Sequence, residues 1–282
     1  MRPSAVALRT GWNRGRIELR QSFTNGAELF SHLLWPVLMV AVLYFMGDRA
    51  FRSSGLQLGA LALPGILGMN AAMGMIGMSQ QLAADREDGT LLRAKATPNG
   101  MVGYLTGKVV SVAGGLAADL LIFLVPALLV IGGLPAGGPG DWATLAWVLP
   151  LGLAATLPAG AILGSLLPGA RGQGLLQLVS LGVIALSGVF YPVTALPEWS
   201  RWIAQASPVY WLGLGTRAAL LPDAAAGVEI GGSWRPAQTA CALAVWAVAG
   251  LVAAPPVLRR MARRESGSKV AERRAKALRR AA

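Results

Sequence analysis

The chain has 282 residues, of which 54% are hydrophobic and 13% charged, with a formal net charge of +12. Soluble domains carry about 25% charged residues, so an ordinary water-soluble domain is excluded, as is disorder over most of the length. One cysteine, Cys241, and one histidine, His32, rule out an internal disulfide and a multi-histidine metal centre.

Residues 1–26 form a basic, partly amphipathic segment with Arg2, Arg9, Arg14, Arg16 and Arg20. Its length before the first apolar run exceeds the charged region of a cleavable signal, so the first span is expected to be retained. A bilayer crossing needs about 20 mostly apolar residues. Residues 27–46 supply the first, and residues 56–84, without a single charge, the second. Along the second, Asn70, Gly74, Gly77 and Gln81 recur at helical steps, with Met73 beside them. Two readings stand: a close helix–helix interface with amide hydrogen bonds, or an adaptable wall for apolar cargo.

The connector that follows opens with Asp85, Arg86, Glu87 and Asp88, breaks at Gly89, and continues through Thr90, Leu91 and Leu92 to Pro98. Its acidic start and short amphipathic turn suit a docking element, and a solvated connector is the alternative. The third span, 101–131, carries Lys108 near its start and Asp119 near its middle. A carboxylate at mid-bilayer costs about 2.5–3.5 kcal/mol on insertion scales, so Asp119 should face the bundle interior or a wet cavity. Cargo binding and a purely structural bond are both compatible with that. Gly107-Lys108 superficially ends like a phosphate-binding loop, but Val109 replaces the magnesium-binding hydroxyl and Val102 the first glycine. The chain is therefore expected to bind no nucleotide and no metal itself.

Residues 142–167 and 172–196 make a fourth and a fifth span around Arg171. Then comes a segment rich in tryptophan, tyrosine and proline. Pro192 and Pro197 make the chain leave the bilayer abruptly, and Trp199 and Trp202 lie at helical spacing before Pro208 and Tyr210. This predicts a short helix at the interface between Pro197 and Pro208, within a re-entrant segment that includes Phe190. Residues 236–258 are the sixth span, and residues 259–282 a basic tail.

Six spans put both termini on one side, and that side holds twenty Lys and Arg against five on the other. The positive-inside rule makes it cytoplasmic. Tail and net charge then read as a topological anchor on anionic lipid rather than as a nucleic-acid surface. The expected fold is an all-α integral membrane protein, one membrane domain over 1–282.

Together these features resemble the permease subunit of ABC-2 type exporters, a family that includes daunorubicin-resistance type drug exporters. The family's inner loop is matched by Asp85, Arg86, Glu87, Asp88, Gly89, Thr90 and Leu91, then Arg93, Thr97 and Pro98. Its outer loop is matched by Gly188, Phe190, Pro192, Leu196, Pro197, Trp199, Ser207, Pro208, Tyr210 and Arg217. Asp85 and Ser207 stand where Glu and Asn are more usual. The resemblance implies a transport subunit of the bacterial cytoplasmic membrane, not an enzyme. A second permease and an ABC ATPase that holds ATP and Mg would be its partners. The 85–92 loop and the N-terminal helix would form the ATPase contact, and Asn70, Met73, Gly77, Gln81 and Asp119 the cargo path. A drug-like amphipathic molecule is the expected cargo, with lipid or polysaccharide as the alternative. A membrane-embedded enzyme lacks its nucleophile, metal cluster or paired carboxylates. A proton-coupled transporter remains a rival through Asp119, although no internal repeat supports it.

Overall fold

The computed structural model describes residues 3–46, 58–131, 138–167, 169–189, 191–264 and 268. Phe190, Arg49, Arg52, the first two residues of the second expected span and most of the basic tail lie outside them. Ten α-helices account for the described chain, and no strand occurs among the described residues. They are α1 (Pro3–Thr24), α2 (Gly26–Met46), α3 (Leu58–Glu87), α4 (Thr90–Lys95) and α5 (Gly100–Ile131). There follow α6 (Pro139–Leu166), α7 (Gly169–Leu186), α8 (Glu198–Ala206), α9 (Pro208–Leu220) and α10 (Pro236–Arg264).

Helices α2, α3, α5, α6 and α10 are long and apolar enough to cross a membrane. The fifth expected span, through Leu196, is shorter than anticipated: α7 stops at Leu186. Its 18 residues measure about 27 Å at 1.5 Å per residue, just under the hydrocarbon thickness of about 30 Å. The chain turns there because Ser187 caps back onto Ile184 O and Gly188 takes a left-handed φ of 65°. Tyr191 then donates to Ala185 O and pins the turn; its partial burial raises the phenol's pKa.

Helix α3 is the axis of the bundle and mostly buried, whereas α2, mostly exposed, is the most peripheral of the five. Met75 and Ser79 of α3 lie against Gly160 and Gly164 of α6, the close approach that small residues allow in a membrane. On α2, Phe30, Trp35, Val37, Tyr44 and Phe45 point outward, as expected of a surface meeting lipid or another apolar chain.

Two features were not foreseen. The first is α9, an apolar helix driven back into the bundle with 12 of its 13 residues buried. Ser207 caps it by accepting from Val209 N at 3.2 Å, and Thr216 Oγ1 donates to Pro64 O of α3 at 3.0 Å. The amphipathic α8 outside it keeps Trp199, Trp202 and Ile203 exposed while burying Ser200 and Ala204.

The second concerns α1. It runs lengthwise along α5 in the same direction. Gly11 meets Gly103, Gly15 meets Gly107, and Leu19 meets Gly114. A Cβ on Gly11 would stand 2.3 Å from Gly103 O, and one on Gly15 2.5 Å from Gly107 O, so only bare backbone fits either crossing. Hydrogen bonds continue through the junction at Asn25, from Asn25 N to Gln21 O (2.9 Å) and from Leu29 N to Asn25 O (2.8 Å). Helices α1 and α2 thus form one bent rod against α5.

Candidate functional site

The end of the bundle where α3 passes into α4 carries most of the charge. Gly89 sits at φ 80° between the two helices, a left-handed corner that glycine adopts without steric cost. Thr90 N donates to Asp88 Oδ1 at 2.7 Å, and Arg93 Nη2 to Thr90 Oγ1 at 2.9 Å, which holds the single-turn α4 rigid. The proposed docking loop is split by this geometry. Glu87 and Asp88 are exposed, Arg86, Gly89 and Leu92 half-buried, and Asp85, Thr90 and Leu91 buried. Leu91, expected to supply apolar contact to a partner, instead packs into the chain's own core at 1% exposure.

Behind this corner, charged groups from three helices meet. Lys108 Nζ of α5 lies 3.0 Å from Asp85 Oδ2 of α3 and 3.3 Å from Glu18 Oε2 of α1. It also donates to Gln81 Oε1 at 3.4 Å. Tyr104 Oη donates to Asp85 Oδ2 at 2.7 Å, and Arg14 Nε to Glu18 Oε1 at 2.9 Å. Lys108 is 7% exposed; without its two carboxylates the ammonium would be strongly disfavoured there. Lys108, read from sequence only as an interruption of the third span, is the hub that joins α1, α3 and α5.

Further along α5, Asp119 Oδ1 lies 2.5 Å from His32 Nδ1 of α2. The imidazole stacks on Phe23 with ring centroids 4.6 Å apart. The mid-membrane carboxylate is therefore partnered, by the one histidine in the chain.

A polar groove of about 600 Å³ joins the hub to this pair. Of the five residues expected on a cargo path, Gly77, Gln81 and Asp119 line it; Asn70 and Met73 do not. Asn70 is buried with Nδ2 unpaired, and Met73 packs beside Ala72 and Val209 on another face of α3. The structure adds Glu18, Glu28, His32 and Lys108 to the lining. The pairing of Gly11 and Gly15 with Gly103 and Gly107, two glycine pairs at four-residue spacing, was the signal that would have placed Glu18 there.

At the opposite end, Arg217 of α9 clamps the loop before α10. Its Nε donates to Glu229 Oε1 at 2.9 Å and its Nη1 to Gly188 O at 2.7 Å. Arg235 bonds Tyr210 Oη and lies over the rings of Tyr210 and Trp211, 5.7 and 4.9 Å from their centroids. Half-buried Pro192 and exposed Pro197 lie in the approach to α8 and Trp199 is exposed in its first turn, whereas Pro208 and Tyr210 belong to the buried α9.

Comparison with family models gives a match to the ABC-2 type transporter family over residues 8–221. The matched stretch runs from α1 through the end of α9 and so includes the charged hub, the α3–α4 corner and Arg217. Comparison with curated proteins gives no match.

Proposed function

The chain belongs to the ABC-2 type transporter family, and from that premise we propose that this membrane-embedded permease exports an amphipathic small molecule, driven by ATP hydrolysis on a separate subunit. The observation that carries the proposal is the build of the α3–α4 corner: exposed Glu87 and Asp88 in front, and behind them Asp85, Tyr104, Lys108 and Glu18 bonded across three helices. A force applied at such a corner reaches α1, α3 and α5 together, and these three helices border the polar groove. Movement there would switch the groove between the two sides of the membrane. The exposed apolar face of α2 suits a second permease subunit. A proton-driven reading would rest on the His32–Asp119 pair and is favoured only if the chain transports without any ATPase.

The excess of basic residues at the α4 end supports a cytoplasmic placement for it. In a Cys241→Ala background, a cysteine at Lys95, which is exposed, should label only from the cytoplasmic side. Labelling from outside intact cells would reverse the orientation.

The coupling itself is tested at Glu87. Glu87→Lys places a like charge against a basic partner surface, which costs several kcal/mol at a packed interface. The variant should reach the membrane normally, lose export, and lose ATPase association or coupled hydrolysis. Full export with normal association would reduce the corner to a connector.

A further inference from the structure

Helix α10 is longer than a bilayer crossing requires. The stretch from Pro236, directly after the outer clamp, to Pro255 measures about 30 Å at 1.5 Å per residue, the thickness of the hydrocarbon core. The helix then continues to Arg264, at the end of the bundle where α4 lies. A helix end that serves only as a charged anchor needs no buried face. This one has such a face: Leu258, Met261 and Ala262 are 0%, 6% and 2% exposed and join Leu91 and Ala94 of α4 in one apolar cluster. Arg259, Arg260 and Arg263 are exposed on its other side. Helix α4 packs on α3, α5 and α10, so the end of α10 is part of the seat of that short helix.

Between this end and the membrane part of α10 stand Pro255 and Pro256. Neither has an N–H, so the helical bonds to the carbonyls of Leu251 and Val252 are missing, and two adjacent prolines weaken the helix at one level. Before the prolines α10 lies along α6, so closely that a Cβ on Gly250 would stand 2.8 Å from Pro158 Cβ. After them its buried contacts include α4. The joint thus separates a part of α10 fixed to the bundle from a part fixed to the corner.

We infer that the last turns of α10 are a clamp hinged at Pro255-Pro256, which holds α4 through Leu258 and Met261 and moves with it when the ATPase acts. The inference rests on the reading of the α3–α4 corner as the ATPase contact and adds two positioning residues to it, Leu258 and Met261, which act through Leu91 and Ala94. A stiff α10 would drag its membrane part along α6 whenever α4 shifted. The joint confines the shift to the inner end and leaves the outer clamp undisturbed.

The test measures distances between spin labels on the full chain, co-purified with its ATPase subunit in a Cys241→Ala background. Lys95 of α4, Arg263 of α10 and Leu166 of α6 are exposed and are replaced by cysteine in pairs. When ATP and vanadate trap the ATPase, the 95–166 and 166–263 distances should both shift while the 95–263 distance stays constant. Pro255→Ala with Pro256→Ala restores both N–H donors, so it should raise the thermal midpoint yet abolish the 166–263 shift. A merely structural role for the prolines would not yield a more stable chain that moves less. Leu258→Ser with Met261→Ser should broaden the 95–263 distance, and Met261→Leu in place of Met261→Ser should narrow it again. Should the serine variant fail to fold, the proline variant decides. If the 95–166 distance ignores ATP, the corner is not the coupling element and the proposed function falls, the clamp with it. If the 95–166 distance shifts while the 166–263 distance does not, or if the proline variant moves like wild type, the clamp alone is overturned.

Discussion

Lys108→Met is expected to lower the thermal midpoint of the purified chain by about 10 °C. The methionine keeps the length of the stem but removes the charge on which Asp85 and Glu18 converge. Removing one partner of a buried ionic group typically costs about 3–5 kcal/mol, because the remaining charge has lost both water and its counterion. For chains of 150–250 residues each kcal/mol corresponds to about 2–4 °C, which sets the scale. Glu18 retains Arg14, so the loss falls mainly on Asp85, whose remaining partner among the described residues is Tyr104. The double variant Asp85→Asn with Lys108→Met should recover most of the midpoint, since a neutral amide does not require the ammonium. A double variant as unstable as the single one would show that Lys108 acts through packing of its stem and not through charge.

Arg217→Met is the second large effect, at the other end of the bundle. Glu229 is 4% exposed and Oε1 depends on Arg217, so the variant strands a buried carboxylate, again at about 3–5 kcal/mol. The consequence should be local. The turns at Asp223–Val228 and Ile230–Gly232 would lose their hold on α9, while the long helices keep theirs. A cysteine at Ala226, 6% exposed, should be unreactive in a Cys241→Ala background and become reactive when Arg217→Met is added. Arg217→Lys should repair little, because the guanidinium holds Glu229 and Gly188 O simultaneously and an ammonium does not present that fork. Unchanged reactivity of the cysteine would mean that the clamp is redundant.

How much of this was legible beforehand differs from element to element. Five of the six expected spans appear as long apolar helices, because charge-free length is a property of local sequence and the bilayer imposes it directly. Helix α9 was not legible: thirteen residues are too few to span, and the run Gly213-Leu214-Gly215-Thr216-Arg217 reads as a loop unless neighbours supply its burial. The α3–α4 corner was located correctly as a segment, yet its inner and outer residues were not separated. Which way Leu91 points depends on the left-handed step at Gly89. His32 and Asp119 each stood out in the sequence, the one as a lone histidine, the other as a misplaced acid. Nothing local joins residues 87 apart; only the parallel run of the α1–α2 rod along α5 does.

That separation also sets an order of events during synthesis. At about 5–20 residues per second, α2 is made some 4–17 seconds before Asp119 leaves the ribosome. The carboxylate is the costly group in lipid. The histidine comes first, so the acid arrives in a membrane where its partner is already installed. A chain with the two residues exchanged would make the identical pair in the finished protein but would expose the acid, for those seconds, alone.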